Sequence, residues 1–463
     1  MDIESYYYHS KLFNSLNIPL TWEDLFPHKT GVLLESAQGG QYTLAAPKVA
    51  QWIADGNVGD RFDGDSPESI WQKWMNPRLS QNRYAGGLVS LVSYDWGKEY
   101  WLRDRKNFLP KDNDLDLPKI VWALILEGFV WNKKKKELLI FQWHSDSDPN
   151  RFSKHAEKQK IMWQKACKRP QRNFPKTHSK NLESKNAFPE QDFTQAVKKI
   201  HQWIAKGHTY QVNLSMRQQT DYTGCPWLLY ECLRQINPSP YMGVFSSPDF
   251  TLISGSPELL GKIDNHRIVS RPIAGTRKIG KSVEEQVSLQ KDLFSSEKEK
   301  AEHLMLVDLI RNDLGRVCSL GSVRVSEFMR REQYSHVQHI VSQVEGTRNK
   351  ENSIRDVFLA LFPGGTITGA PKIRTMEIID ALEPVSRNFY TGSLGWIGFN
   401  GEAEWNILIR SILLHEKIAY WQTGAGIVID SEPKLEYQEC LDKAQAQGIA
   451  LTCLKQCQTQ IFP

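Results

Sequence analysis

Over the first 150 residues apolar and polar positions change over in short runs. Gly87-Leu88-Val89-Ser90-Leu91-Val92-Ser93 is one such run, and the pattern predicts strands mixed with Trp-rich helical pieces. Phe129-Val130-Trp131 and Leu138-Leu139-Ile140-Phe141 flank Lys133-Lys134-Lys135-Lys136, which reads as strand, charged turn, strand. The apolar signal then fades. Residues 168–190 are polar, basic and Pro-containing, so the chain divides into a first region of residues 1–150, a polar linker over 151–190 and a second region of 191–455.

Past the linker, Phe193, Val197, Ile200 and Ile204 recur at helical spacing up to Gly207, which reads as the residue that ends the helix. The segment 209–215 alternates as a strand, with Gln211 and Asn213 on the face opposite the core. A helix over about 296–312 carries Glu299 and Glu302 one turn apart, and a last helix over about 433–446 puts Glu436, Glu439 and Lys443 on one face. Strands are predicted over 250–254, 267–270, 394–399, 406–414 and 418–422. Strands that succeed one another through short polar turns argue for antiparallel sheet with helices packed outside it, an α/β fold of the α+β kind.

Composition removes several alternatives. A chain of 463 residues with 40% hydrophobic and 24% charged positions is globular. Its net charge of +5 is spread along the chain, so no basic footprint marks a nucleic-acid partner. No apolar run reaches the roughly 20 residues that span a bilayer. The opening Met1-Asp2-Ile3-Glu4-Ser5 lacks the basic and apolar parts of a signal peptide, so a cytoplasmic protein without a membrane partner is expected. The cysteines are odd in number and scattered, with no Cys-x-x-Cys pair, which points to reduced thiols.

Candidate chemistry lies in the second region. The pairs Glu299/Glu302 and Glu436/Glu439 each project two acids from one helical face; alone, either is an ordinary solvated surface. Hard oxygen donors of this kind also suit Mg²⁺, which is held by one or two carboxylates plus an anionic group of the substrate. Thr423-Gly424-Ala425-Gly426 lacks the third glycine of a dinucleotide fingerprint. A Gly-rich turn there would instead bring backbone amides to a carboxylate. Phe362-Pro363-Gly364-Gly365-Thr366-Ile367-Thr368-Gly369-Ala370-Pro371-Lys372 reads as a loop feeding a helix that starts near Pro371, with hydroxyls and amides ahead of it for an anion.

Taken in order, Gln211-Val212-Asn213-Leu214-Ser215, Ser256-Pro257-Glu258, Arg271-Pro272-Ile273-Ala274-Gly275-Thr276, the string from Asp308 to Gly315, His339-Ile340-Val341-Ser342, the string from Phe362 to Lys372 and the segment 424–439 resemble the motif series of chorismate-utilising enzymes. The resemblance covers the whole second region, and the first region is similar to the one that accompanies it in amino-transferring members. It implies one large sandwich of two antiparallel sheets with helices on both outer faces. It implies Glu302 and Glu439 as Mg²⁺ ligands, seconded by Glu299 and Glu436. Arg410, Tyr390, Lys443 and the amides of Gly424, Ala425 and Gly426 would clamp the enolpyruvyl carboxylate of chorismate, with Thr366 adding a hydroxyl contact.

Glu258 is implied as the general acid for a departing hydroxyl, because apolar shelter would let it hold a proton. His339 is implied as a further catalytic group, beside the alternative of a satisfied core histidine. Members that add water resemble one another in having lysine where this chain has Gln211, which leaves ammonia as the nucleophile. Tyr210-Gln211-Val212-Asn213-Leu214 and Gly392-Ser393-Leu394-Gly395-Trp396-Ile397-Gly398 are similar to members that aminate C4 on the route to folate, rather than C2 on the route to tryptophan. Ala274 stands where many C4-aminating members carry a nucleophilic lysine, a departure that removes covalent chemistry at that position. Ser36 in the first region, with Pro240, Tyr241 and Met242, is similar to a tryptophan pocket of the family, so bound tryptophan is a candidate ligand. No cysteine–histidine pair of the glutamine-hydrolysing type is present, so ammonia is expected from a separate glutaminase subunit. A tryptophan-sensing protein without catalysis would tolerate loss of Glu258, Glu302 and Glu439, and all three are present.

Overall fold

A computed structural model describes residues 6–38, 40–54, 84–105, 111–145, 147–174, 182–278, 282–295, 297–333 and 337–461. Two antiparallel sheets face each other. The first runs, in spatial order, through Tyr7–Phe13, Glu137–His144, Glu127–Asn132, Tyr42–Ala46, Gly31–Glu35, Tyr241–Ser246, Phe250–Ser256, Ser411–His415, Ile418–Ile427, Gln211–Asp221 and Gly369–Ala370. The second runs through Ile273–Lys278, Val337–Thr347, Arg267–Ser270, Leu259–Asp264, Ala403–Asn406, Ser393–Gly398, Gly87–Val92, Ile120–Ile125 and Gln51–Ala54.

Both sheets draw strands from both regions of the chain. Gly31–Glu35 pairs with Tyr241–Ser246 in one, and Gly87–Val92 pairs with Ser393–Gly398 in the other. The expected α/β sandwich is therefore what forms, with the two regions sharing one body. Its middle is filled by Val32, Phe245 and Leu252 of the first sheet against Leu91, Leu394 and Trp396 of the second. Outside the first sheet, the helices Pro149–Cys167, Pro226–Ile236 and Gln445–Ile461 bury Trp163, Trp227 and Leu451. The helices Glu190–Ala205, Lys372–Leu382 and Pro433–Lys443 cover the rest of that face. Glu297–Gly315 and Ile354–Leu361 cover the second sheet through Ile310, Leu314 and Phe358.

The hairpin around Lys133 and the helix closed by Gly207 (φ 75°) form where the pattern placed them. The linker needs correction. Its first part is the helix Pro149–Cys167, whose sparse apolar stripe of Phe152, Ala156, Trp163 and Ala166 packs onto the sheet. The charged residues between those four hide the stripe from a reading by composition. Residues 175–181 of the expected connection lie outside the described residues. Among the described residues Cys167, Cys225, Cys232, Cys318, Cys440 and Cys453 are free of disulfides. No helix among the described residues is long and apolar enough to cross a membrane.

Candidate active site

The site begins with a strand pair. Gln211–Asp221 lies antiparallel to Ile418–Ile427, with Asn213 opposite Gly426, Leu214 opposite Ala425 and Ser215 opposite Gly424. Opposed residues share a face. Val212, Leu214, Met216, Ala425 and Ile427 therefore enter the core under the outer helices, while Gln211, Asn213, Ser215 and the two glycines line the inner face. A Cβ on Gly426 would stand 2.4 Å from Gln211 Nε2, and one on Gly424 would stand 2.9 Å from the Tyr390 hydroxyl. These glycines thus keep a wall flat. The sequence reading put them in a turn with clustered amides; they sit mid-strand, where the ladder engages the backbone, and the Ala425 methyl points away from the site.

Glu258 follows Phe250–Ser256, its amide donating to Ser256 Oγ at 3.2 Å and its carbonyl accepting from the Ile407 amide at 3.0 Å. It is buried. That burial pushes the carboxyl up to about 7, against the opposing pull of the Thr366 hydroxyl and the Arg410 guanidinium. A glutamate after a Ser-Pro turn is ordinarily solvated, and this one is not. Arg410 occupies a break in what reads as one strand over 406–414. Ala403–Asn406 ends, Arg410 takes the left-handed φ of 53°, and Ser411–His415 begins. Such a conformation is uncommon for a non-glycine residue and is held by its surroundings. The Arg410 carbonyl accepts from Gly255 at 3.2 Å, and its Nη1 donates to Asn237 Oδ1 at 3.3 Å.

His339 is buried on Val337–Thr347, with Nδ1 3.0 Å from the Gly275 carbonyl. A carbonyl only accepts, so Nδ1 bears the hydrogen and Nε2 the lone pair. Burial lowers the ring to about 4, helped by Arg410, so the imidazole is neutral at physiological pH. The accepting carbonyl is supplied by an irregularity in the ladder between Ala274 and Thr276, where Gly275 has a φ of 60°. Ala274 is buried beside it.

Phe362 to Lys372 is not a plain loop. Gly365–Thr368 makes one helical turn, Gly369–Ala370 pairs with Gln211 and Val212, and the helix starts at Lys372. Asn213 Nδ2 donates to the Thr366 carbonyl at 2.9 Å, so the turn is tied to the inner strand face. Lys372, part of a string singled out for anion binding, instead pairs with Asp313 at 2.8 Å in the interior.

The helix Glu297–Gly315 brings Glu302 to Gln211, with Nε2 donating to Oε1 at 3.0 Å, and Glu299 sits one turn before it. On Pro433–Lys443, Glu436 is buried and Glu439 is exposed. Glu439 pairs with Lys443 at 2.7 Å, and Lys443 Nζ donates to the Gly424 carbonyl at 3.0 Å. Among the described residues no three of His, Cys, Asp and Glu gather into a ready-made cation cage. The donor set still fits Mg²⁺, which takes one or two protein carboxylates and completes its shell with water and substrate oxygens.

Sequence reasoning missed Glu383 and Arg387, which are buried behind Tyr390. Four residues apart at a helix end, they read as a surface pair; only the tertiary fold encloses them. A second cavity gathers Ser36, Pro240, Tyr241 and Met242 with Tyr84, Trp396 and Glu404.

The chain matches the family model described as chorismate binding enzyme over residues 31–447. It is 41% identical over 443 residues to aminodeoxychorismate synthase component 1 of Bacillus subtilis, covering 91% of this chain and 92% of that one. It is 40% identical over 454 residues to anthranilate synthase component 1 of Aquifex aeolicus, covering 93% and 90%. The crystal structure of anthranilate synthase component I from Streptococcus pneumoniae superposes with a TM-score of 0.75 at 30% identity, covering 89% of this chain and 92% of that one.

Proposed function

The chain belongs to the chorismate-binding enzymes, and from that premise we propose that it replaces the C4 hydroxyl of chorismate with ammonia, giving 4-amino-4-deoxychorismate for the route to folate. The observation that carries the reading is the sheltered Glu258 carboxyl, raised to about 7 in a wall that also holds Thr366 and Arg410. A hydroxyl leaves as water only when protonated, and a buried acid near neutrality can supply that proton. Ammonia or water, in place of the lysine that Ala274 replaces, adds at C2 as the C4–O bond breaks; ammonia then bonds to C4 as the group at C2 departs, and the proton shed by the attached ammonium restores the balance. The Glu258 carboxylate left by the protonation of the hydroxyl takes up that proton, and His339, kept neutral by its burial, lines the site as a hydrogen-bonding group.

Arg410, Tyr390 and Lys443 hold the enolpyruvyl carboxylate, Arg410 by a charge-assisted grip, against the flat face that Gly424 and Gly426 leave open on either side of Ala425. Thr366 contacts the ring. Gln211 cannot deprotonate water, which supports ammonia over water as nucleophile, and Ala274 rules out an amine nucleophile from the protein at that position. Glu302 and Glu439, with Glu299 and Glu436 behind them, would hold Mg²⁺, whose charge neutralises the ring carboxylate. The component 1 names of the two relatives support a separate glutaminase subunit as the source of ammonia. The second cavity, with Ser36, Pro240, Tyr241 and Met242, suits an aromatic amino acid such as tryptophan.

The test is a product assay of the purified chain with chorismate, Mg²⁺ and ammonium salt. It is run with and without a lyase that converts aminodeoxychorismate to 4-aminobenzoate. Lyase-dependent 4-aminobenzoate is expected. Anthranilate formed without the lyase would move the amination to C2, the reaction named for the Aquifex relative.

A further inference from the structure

Behind the wall that faces the substrate lies a buried ion pair whose partners are all parts of that wall. Arg387 Nε donates to Glu383 Oε2 at 2.9 Å and Nη2 to Glu383 Oε1 at 2.7 Å. The remaining donors reach out. Nη2 also meets the Asn213 carbonyl at 2.7 Å, and Nη1 meets the Ile367 carbonyl at 3.1 Å and Thr391 Oγ1 at 3.2 Å. Glu383 Oε1 in turn accepts from the Ser215 amide at 2.9 Å and the Ser215 hydroxyl at 2.6 Å.

Each contact ends one residue, or one strand pairing, from a group assigned to the substrate. Ile367 follows Thr366. Ser215 lies opposite Gly424, and Asn213 lies opposite Gly426. Tyr390 lies between Asn388 and Thr391, both in the left-handed region with φ of 50° and 58°. A β-branched residue such as Thr391 adopts that conformation only where its surroundings enforce it. The Arg387 guanidinium also sits 5.6 Å from the centre of the Tyr390 ring and 4.7 Å from that of Tyr94.

We propose that the Arg387–Glu383 pair is a positioning device that sets Tyr390, Thr366 and the Gly424–Gly426 strand in register as one carboxylate-binding surface, without touching the substrate. A rigid guanidinium is suited to this, because its planar fork fixes the directions of five N–H groups, whereas an ammonium fixes none. The proposal rests on the reading of this wall as a chorismate site. Held in one geometry, the wall binds ground state and transition state alike, so loosening it raises KM more than it lowers kcat.

The experiment compares wild type, Arg387→Lys, Tyr390→Phe and the double variant. Steady-state kinetics with chorismate, Mg²⁺ and ammonium chloride are joined to calorimetric titration of chorismate, all well below each protein's melting temperature. Arg387→Lys is expected to raise KM and the chorismate dissociation constant by about tenfold or more with kcat changed by less than about threefold, and its effect should shrink in the Tyr390→Phe background. Wild-type affinity in folded Arg387→Lys, or penalties that simply add in the double variant, would overturn the positioning role. Should Arg387→Lys fail to melt cooperatively, Ser215→Ala serves instead, since it keeps the ion pair and cuts one hydroxyl link to the glycine strand. A KM raised about threefold is then expected, and an unchanged KM overturns the proposal. If wild type itself binds no chorismate, the reading of the site fails, separately from the proposal.

Discussion

Glu258 holds a proton that a surface glutamate would have released, and its pH behaviour follows from that. Between about 4.5 and 7 the folded protein keeps this proton while the unfolded chain has lost it. Stability therefore falls as pH rises through that window, by at most about 3 kcal/mol from this group. Glu258→Gln should flatten that part of the pH–stability curve in chemical denaturation while lowering turnover by about a hundredfold or more. In wild type, kcat/KM should fall above about pH 7 as the acid ionises. Gly426→Ala addresses the opposite wall. The added methyl displaces the end of the Gln211 side chain, and with it the bond to Glu302, rather than backbone, so chorismate KM should rise by about tenfold with the fold retained. Gln211 and Glu258 stand out in the sequence because each sits in a distinctive string, whereas Arg410 sits in none and is reached through the family resemblance alone. Glu383 and Arg387 do not stand out, because Glu383-Pro384-Val385-Ser386-Arg387 describes a solvated turn after a helix as well as a buried hub.

At the scale of elements, periodicity located most helices and strands, and it failed where one residue overrides a run. The segment 406–414 is apolar enough for a single strand, yet Arg410 breaks it. The energy that decides this is tertiary: the burial of Arg410 beside Glu258 and its bond to Asn237 are invisible to a local window. Helix attachment offers a further prediction. Asp313 on Glu297–Gly315 and Lys372 at the start of Lys372–Leu382 form a buried pair that joins the helix bearing Glu302 to the segment bearing Thr366. Asp313→Ala leaves a buried ammonium without its partner and should cost about 3–5 kcal/mol, whereas Asp313→Leu with Lys372→Met should recover most of it in the same denaturation assay. Ser353, which caps Ile354–Leu361 in a reciprocal arrangement with Asp356, is worth less. Its replacement by alanine should cost about 1 kcal/mol.

For the whole molecule, the sequence conveyed the class of fold and two outer layers of helix, but not that both sheets are woven from both regions. Strand order depends on pairings across hundreds of residues, and no local pattern records them. The consequence for truncation is direct. A chain lacking residues 1–150 leaves the edges of Tyr241–Ser246 and Ser393–Gly398 without partners and uncovers the central core. It should show no cooperative melting transition by circular dichroism and should elute as aggregate, because unpaired apolar strands template association.

The same weave dictates a timetable for birth on the ribosome. Gly87–Val92 leaves the exit tunnel roughly 300 residues before its neighbour Ser393–Gly398, a wait of about 15–60 s at ordinary rates of synthesis. Throughout that interval a six-residue strand, apolar but for Ser90 and with every position buried in the finished protein, has one edge bare. Holdase chaperones that shield nascent chains should therefore govern the yield of this protein more than its final stability does.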